Sequence, residues 1–194
     1  VRKGLDHASV ADAMRAEYQA EIKRLSRADD VIRRVQKEWS RGVCLIHGIY
    51  RMRKPDGSLL LNFAGQPTEV EYTGSGFLVS AEGHIVSNRH VALPWTEDPG
   101  HMKMIANGSA PVFTRLTVTF PGKMPINVAQ NTIRRRDDDL DVAVLQITSE
   151  QAKDIPVLPL RADGTEGQDE RAIVVGYPTG LAALLARASS DTLA

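Results

Sequence analysis

The chain has 194 residues, 42% hydrophobic and 25% charged, as expected of a globular protein with one large domain or two small ones. Its 24 basic and 24 acidic side chains balance, which excludes a strong overall attraction to nucleic acid or to an anionic membrane. A single cysteine, Cys44, excludes an internal disulfide framework, and no apolar run reaches the ~18 residues of a membrane span.

The first 41 residues are predicted to form an amphipathic helix, because Ser9 to Ser40 contains neither Gly nor Pro. Apolar side chains recur there at steps of three, four or seven: Met14, Tyr18, Ile22, Leu25, Ile32, Val35 and Trp39. This spacing places them on one face, and Arg41-Gly42 then ends the helix. The steps of seven also suit a short coiled coil, although Glu21 and Ala28 interrupt the seam. We favour packing against the chain's own domain, with a homo-oligomer or a membrane-proximal stalk as alternatives.

From Val43 onward, short apolar or β-branched runs alternate with turn residues. The runs are "VCLIHGIY", "LLLNF", "GFLVS", "HIVS", "LTVTF", "INVAQNTI", "DVAVLQI" and "RAIVVGY". Strands at this spacing predict an antiparallel barrel or sandwich rather than βαβ units. We therefore divide the chain into the helix (1–41), a first β unit (42–150), a linker rich in Pro, Gly and acids (151–170) and the start of a second β unit (171–194).

Two positions along these runs have side chains suited to catalysis. In "YTGSGFLVSAEGHIVSNRHVA", two short strands around a turn lead to His90, and in "RRRDDDLDVAVLQI" Asp141 opens an apolar strand. Taken alone, His90 suits a structural role and Asp141 a solvated strand start. Together they form a useful pair, since a histidine acting as a general base needs a carboxylate to fix its tautomer and orientation. Only the fold can bring them together across 51 residues.

The sequence resembles the HtrA-type branch of the trypsin-like serine proteases in three segments that follow the family's order. "GSGFLVSAEGHIVSNRHVA" resembles the segment that presents the catalytic histidine, "DLDVAVLQI" the strand that carries the catalytic aspartate, and "AIVVGYPTGL" the start of the second barrel. The resemblance implies a mostly β protein: a trypsin-like antiparallel β-barrel and the start of a second one, after the N-terminal helix. It also implies His90 and Asp141 as catalytic residues, with Asp139 as the fallback for the acid. No metal or organic cofactor is implied.

The family's nucleophile segment, Gly-[Asn/Asp]-Ser-Gly-Gly, does not occur in the sequence. The backbone N–H groups of that segment also build the oxyanion hole. The sequence starts at Val1 rather than Met, which indicates a fragment. Because the nucleophile segment is missing, we expect this to be the front portion of a serine endopeptidase whose serine lies beyond Ala194. This chain alone should then be inactive. The alternative is a non-catalytic barrel, a pseudoprotease that binds or assembles proteins. The resemblance suggests a protein or peptide substrate and an extracytoplasmic location, periplasmic or secreted.

Other nucleophiles and ligands fit the sequence less well. Ser75 is flanked by glycines, but "TGSGF" lacks the strand-to-helix context of a nucleophile elbow, and Ser189 and Ser190 lie in a polar tail. Cys44 is predicted to be a small buried hydrophobe. A Cys44–His47 dyad is disfavoured because positions i and i+3 of a strand point to opposite faces. A metal site at His84 and His90 lacks Cys or acidic partners at a typical spacing.

Overall fold

The computed structural model describes residues 7–135, 140–160 and 173–177. The chain divides into two compact units, Val1–Glu38 and Trp39–Ala194. Among the residues described, no helix combines the length and the apolar character needed to cross a membrane.

The first unit is helical. Helix α1 spans His7–Arg34, and a π-helical turn follows over Val35–Trp39. A 3-10 turn over Ser40–Gly42 lies at the start of the second unit. The α-helix therefore ends before the predicted stop at Arg41-Gly42. Gly42 is needed at the end of these turns, because a Cβ there would collide with residues 156 and 158. On α1, Tyr18 and Ile22 are 68% and 61% exposed.

The second unit is built on one antiparallel sheet of seven strands, which confirms the predicted mostly β architecture. The strands are β1 Val43–Arg53, β2 Val70–Leu78, β3 His84–Ser87, β4 Ala110–Thr119, β5 Ile126–Asn127, β6 Arg134–Arg135 and β7 Ala143–Gln146. Their order across the sheet is β5-β4-β1-β2-β3-β7-β6. The pairing of β3 with β7 brings together strands that are far apart in sequence.

In the part of the second unit that the structure describes, three short α-helices accompany the sheet: α2 Arg89–Ala92, α3 Pro99–Ala106 and α4 Ser149–Ala152. Helix α3 has no counterpart among the predicted elements, although its start carries a recognisable signal. Asp98 caps it by accepting the N–H of His101 at 2.9 Å, and Pro99 occupies the first turn, where a missing N–H costs nothing.

Several apolar runs that were predicted as strands are not extended over their full length. The run "LLLNF" makes only isolated bridges, from Leu59 to Arg53 and from Leu61 to Pro67, because Asn62 bends the chain by accepting the N–H groups of residues 64 and 66. Such local side-chain bonds compete with a strand ladder. In "INVAQNTI" only the first two residues are extended as β5, and a 3-10 turn follows at Gln130–Thr132.

The core lies against one face of this sheet, as the alternating burial along β1 and β7 requires. The largest fully buried side chains are Tyr50, Phe120, Ile46, Met52, Leu78, Ile85, Leu145, Val118 and Cys44. Residues from the segment 152–158, which follows the predicted end of the first β unit at 150, also pack here. Ala152 and Ile155 are buried in the core, and the Leu158 N–H donates to the Leu78 carbonyl at 2.8 Å.

Candidate active site

His90 lies just after the hairpin formed by β2 and β3. The turn between these strands uses Gly83 at φ 93°, a left-handed conformation that glycine adopts without strain. β3 ends at Ser87, whose hydroxyl donates to the Ser75 carbonyl at 2.8 Å and ties the strand end to β2. The chain then turns into α2, which contains His90.

The register of the sheet explains how Asp141 reaches His90. β3 pairs with β7, with Ser87 opposite Ala143. In an antiparallel pair, the residues that follow one strand lie beside those that precede the other. His90 follows β3 by three residues and Asp141 precedes β7 by two, so the sheet brings them together.

The two side chains make a close, two-point contact. His90 Nδ1 lies 2.6 Å from Asp141 Oδ2, and the backbone N–H of His90 donates to Asp141 Oδ1 at 3.0 Å. Their side chains are 47% and 39% exposed. The pair therefore lies at the surface, where solvent reaches the imidazole, and Nε2 occupies the edge of the ring away from the carboxylate.

The hydrogen bonds around Asp141 stabilise its ionised form. Desolvation raises the pKa of this carboxyl, but hydrogen bonds from the backbone and ring of His90, the His90 charge and a hydrogen bond from Asn88 outweigh it and hold the pKa below the ordinary value. An ionised carboxylate on Nδ1 fixes the tautomer that leaves Nε2 free to accept a proton.

Packing of α2 against β2 holds His90 in place. Gly74 on β2 lies directly beneath Val91, and a Cβ at residue 74 would come within 2.8 Å of Val91 Cγ2 and closer still to Cγ1. The glycine therefore lets α2 approach the strand. Val91, the neighbour of His90, is buried in this contact.

A second histidine–carboxylate pair lies on the strands β1 and β2. His47 Nε2 is 2.8 Å from Glu71 Oε1. Here the carboxylate occupies Nε2, whereas in the His90 pair it occupies Nδ1. The carboxylates of these two pairs therefore contact opposite nitrogens of the imidazole ring.

The alternative nucleophiles are engaged in structural contacts. The Ser75 hydroxyl oxygen accepts the backbone N–H of Tyr177 at 2.8 Å, which links β2 to the segment 173–177. Cys44 is completely buried, and burial raises the pKa of its thiol to about 12. The structure does not join Cys44 to His47, whose ring is bound to Glu71.

The sequence did not single out one contact of the site. Asn88 Nδ2 donates to Asp141 Oδ2 at 3.1 Å and to the Asp141 carbonyl at 3.3 Å. Asparagine two positions before His90 was visible in the sequence, but only the sheet register puts its amide beside Asp141. Asp139, Ser189 and Ser190 lie outside the described residues.

Comparisons with known proteins identify the family of the chain. Residues 74–192, more than half of the chain, match the family described as the trypsin-like peptidase domain. A probable periplasmic serine endoprotease, DegP-like, of Hahella chejuensis is 30% identical over 114 residues. That match covers 59% of this chain and 19% of the relative.

A solved structure, the HtrA-type protease AlgW as a variant with a decapeptide, is 19% identical, with a TM-score of 0.39. The match covers 70% of this chain and 37% of the solved chain. The chain thus spans about a fifth of the curated relative's length and little more than a third of the solved chain. The family match confirms the resemblance predicted from the sequence motifs, and the chain belongs to the trypsin-like peptidase domain family.

Proposed function

We propose that this chain supplies the histidine and aspartate of a serine endopeptidase that hydrolyses peptide bonds. The observation that carries the proposal is the 2.6 Å contact between His90 Nδ1 and Asp141 Oδ2 beside an accessible Nε2. His90 acts as general base and then general acid, and Asp141 orients the ring and stabilises the imidazolium.

In the proposed reaction, a serine Oγ attacks the carbonyl carbon of the substrate while its proton passes to His90 Nε2. The imidazolium then returns that proton to the leaving amine as the acyl-enzyme forms. Water then attacks the acyl carbon while His90 Nε2 takes its proton. That proton returns to the serine Oγ as the peptide acid is released. The serine segment is absent from the 194 residues, so we place the nucleophile and the oxyanion hole in sequence that follows them.

The test is fluorophosphonate labelling of the full-length protein, with the modified peptide mapped. We expect label on a serine after residue 194, and its loss in His90→Ala. His47→Gln is a matched control because it removes a histidine–carboxylate pair outside the candidate site, on β1 and β2, and it should label normally. The 194-residue chain itself should cleave no peptide.

Three outcomes would contradict the proposal or part of it. If the full-length protein fails to label where a control protease reacts, and remains unlabelled after any zymogen processing, the non-catalytic barrel becomes the better account. If His90→Ala labels at the wild-type rate, His90 is not the general base. Peptidase turnover by the 194-residue chain, abolished in His90→Ala, would refute our account of the nucleophile.

A protein or peptide substrate and a periplasmic location form part of the same proposal. The DegP-like relative is named a periplasmic endoprotease. A lone cysteine that is completely buried is compatible with an oxidising compartment, because it offers no exposed thiol for mispairing. Cell fractionation with periplasmic and cytoplasmic marker proteins tests the location, and recovery with the cytoplasmic marker contradicts it.

We further propose that α1 mediates self-association. Tyr18 and Ile22 are largely exposed apolar residues on this helix, and Tyr18 belongs to the apolar series at steps of seven that suits a coiled coil. Replacing Tyr18 and Ile22 with Lys should convert an oligomer to monomer in sedimentation experiments, whereas Gln19→Lys should not. An unchanged sedimentation profile for the double variant, or a monomeric wild type, contradicts this role.

A further inference from the structure

The side-chain amide of Asn88 contacts Asp141 at two points. Its single amide nitrogen donates to the side-chain Oδ2 of Asp141 at 3.1 Å and to the main-chain carbonyl of the same residue at 3.3 Å. Because an amide NH₂ carries two hydrogens, both bonds can form at once. The amide therefore bridges the backbone and the carboxylate of Asp141 and restricts rotation between them.

A simpler role for Asn88 would be to cap α2. Asparagine is favoured at the N-cap position because its side-chain oxygen accepts a backbone N–H of the first turn. Asn88 is indeed the N-cap residue of α2, but its side chain makes no capping hydrogen bond. The N–H of His90, in that first turn, donates instead to Asp141 Oδ1. The cap is supplied by Asp141, which leaves the Asn88 amide directed at the carboxylate.

These contacts divide the two carboxylate oxygens between different tasks. Oδ1 accepts the His90 backbone N–H, and Oδ2 faces both His90 Nδ1 and the Asn88 amide. We propose that Asn88 is a positioning residue for the reaction set out above, whose amide keeps Asp141 Oδ2 against His90 Nδ1 while the ring gains and loses its proton. This inference rests on the proposed function.

The chemistry of the amide suits that task. A neutral donor fixes the carboxylate without cancelling the negative charge that stabilises the imidazolium. A lysine at the same place would also donate a hydrogen bond, but its charge would compete with the imidazolium for Asp141. Asn88 thus fixes geometry and leaves the electrostatics of the His90–Asp141 pair intact.

Asn88→Ser removes the amide donor and keeps a residue that is favoured at the N-cap position. The serine hydroxyl is too short to reach Asp141. In the full-length protein we expect the fluorophosphonate labelling rate to fall about ten- to a hundredfold, the range for losing a hydrogen bond to a charged group. Asn88→Asp keeps the size of the side chain but places a repelling carboxylate beside Asp141, so its loss should be larger.

Asn62→Ser is the matched control, since Asn62 also forms local side-chain hydrogen bonds in a turn and lies outside the site. It should label at the wild-type rate. A second readout follows Asp141 itself by ¹³C NMR of its carboxyl carbon as a function of pH in the 194-residue chain. Loss of the amide donor should raise the pKa of Asp141 in Asn88→Ser, which a purely structural role of Asn88 would not do.

The outcomes separate this inference from the proposed function. If His90→Ala is unlabelled while Asn88→Ser labels at the wild-type rate, the role of Asn88 is overturned and the proposed function stands. If Asn88→Ser labels slowly but its Asp141 titration matches wild type, the loss arises elsewhere and the inference again fails. If His90→Ala labels normally, or the wild type does not label, the proposed function fails and takes this role of Asn88 with it.

Discussion

Gly74→Ala tests whether close packing of α2 on β2 holds the histidine in place. The new methyl group would lie 2.8 Å from Val91 Cγ2 and 3.1 Å from Val91 Cβ, whereas carbon atoms in contact normally lie ~3.5–4.0 Å apart. Val91 must therefore move by about 0.7 Å or more. A similar shift of His90 would stretch its 3.0 Å bond to Asp141 Oδ1 beyond the ~3.5 Å limit of a hydrogen bond.

The sign of the stability change is informative. In an uncrowded strand, Gly→Ala stabilises a protein by about 0.5–1 kcal/mol, because alanine loses less backbone entropy on folding. Overpacking typically costs about 1–3 kcal/mol. The crowding at Val91 therefore predicts that Gly74→Ala lowers the free energy of unfolding by roughly 1–2 kcal/mol net.

Val91→Ala provides the matching control. Alone it should cost about 1.6 kcal/mol, for two buried methyl groups at ~0.8 kcal/mol each. Combined with Gly74→Ala it removes the collision, so the double variant should be more stable than the sum of the single changes by at least about 1 kcal/mol. Urea denaturation of the full chain measures all four proteins. Additive effects, or a Gly74→Ala protein more stable than wild type, would refute the packing argument.

Three further predictions concern other parts of the sheet. Gly48→Ala should lower the free energy of unfolding by about 1–3 kcal/mol, because Gly48 lies opposite Tyr72 in the register and a Cβ there would overlap the Tyr72 ring. An unchanged free energy of unfolding in urea denaturation would contradict this. In the folded chain, Cys44 should react with thiol reagents at pH 8 about 10³-fold more slowly than in the unfolded chain, since few thiolates form. Equal reaction rates in the two states would contradict the burial of this side chain. Asp141 has a lowered pKa, so it stabilises the fold above its unfolded pKa of ~3.9 and this contribution disappears as pH falls through the lower folded value. The stability gap between wild type and Asp141→Asn should therefore close below about pH 4, and a constant gap contradicts it.

Much of the β architecture could be predicted because its signals are local. Apolar runs bounded by Gly, Pro and Asn mark β1, β2 and β3, and the burial of Cys44 follows from its place in an apolar run. The failures are also local in origin. The run that contains Leu61 fails to extend as a strand because Asn62 folds the chain back at once, and α3 was missed although Asp98 and Pro99 mark its start.

The site was predictable only in its parts. His90 and Asp141 stand out as residues at the ends of apolar runs, and the family motifs associate them. Neither the apolar runs nor the motifs, however, indicate how far apart the two side chains lie in the fold. Their contact depends on the pairing of Ser87 with Ala143, which brings together strands more than fifty residues apart. The amide contact of Asn88 depends on the same pairing and could not be derived from the sequence.

That long-range pairing has a consequence for how the chain folds. Until β7 docks, the hydrogen-bonding groups on the outer side of β3 are unpaired, since β7 is the neighbour of β3 there. Closing a loop of this length is entropically costly, so such pairings form slowly. An uncovered strand edge is also a template for other chains. A nascent or destabilised chain is therefore vulnerable to aggregation along β3, and the docking of β7 both protects that edge and assembles the histidine–aspartate pair.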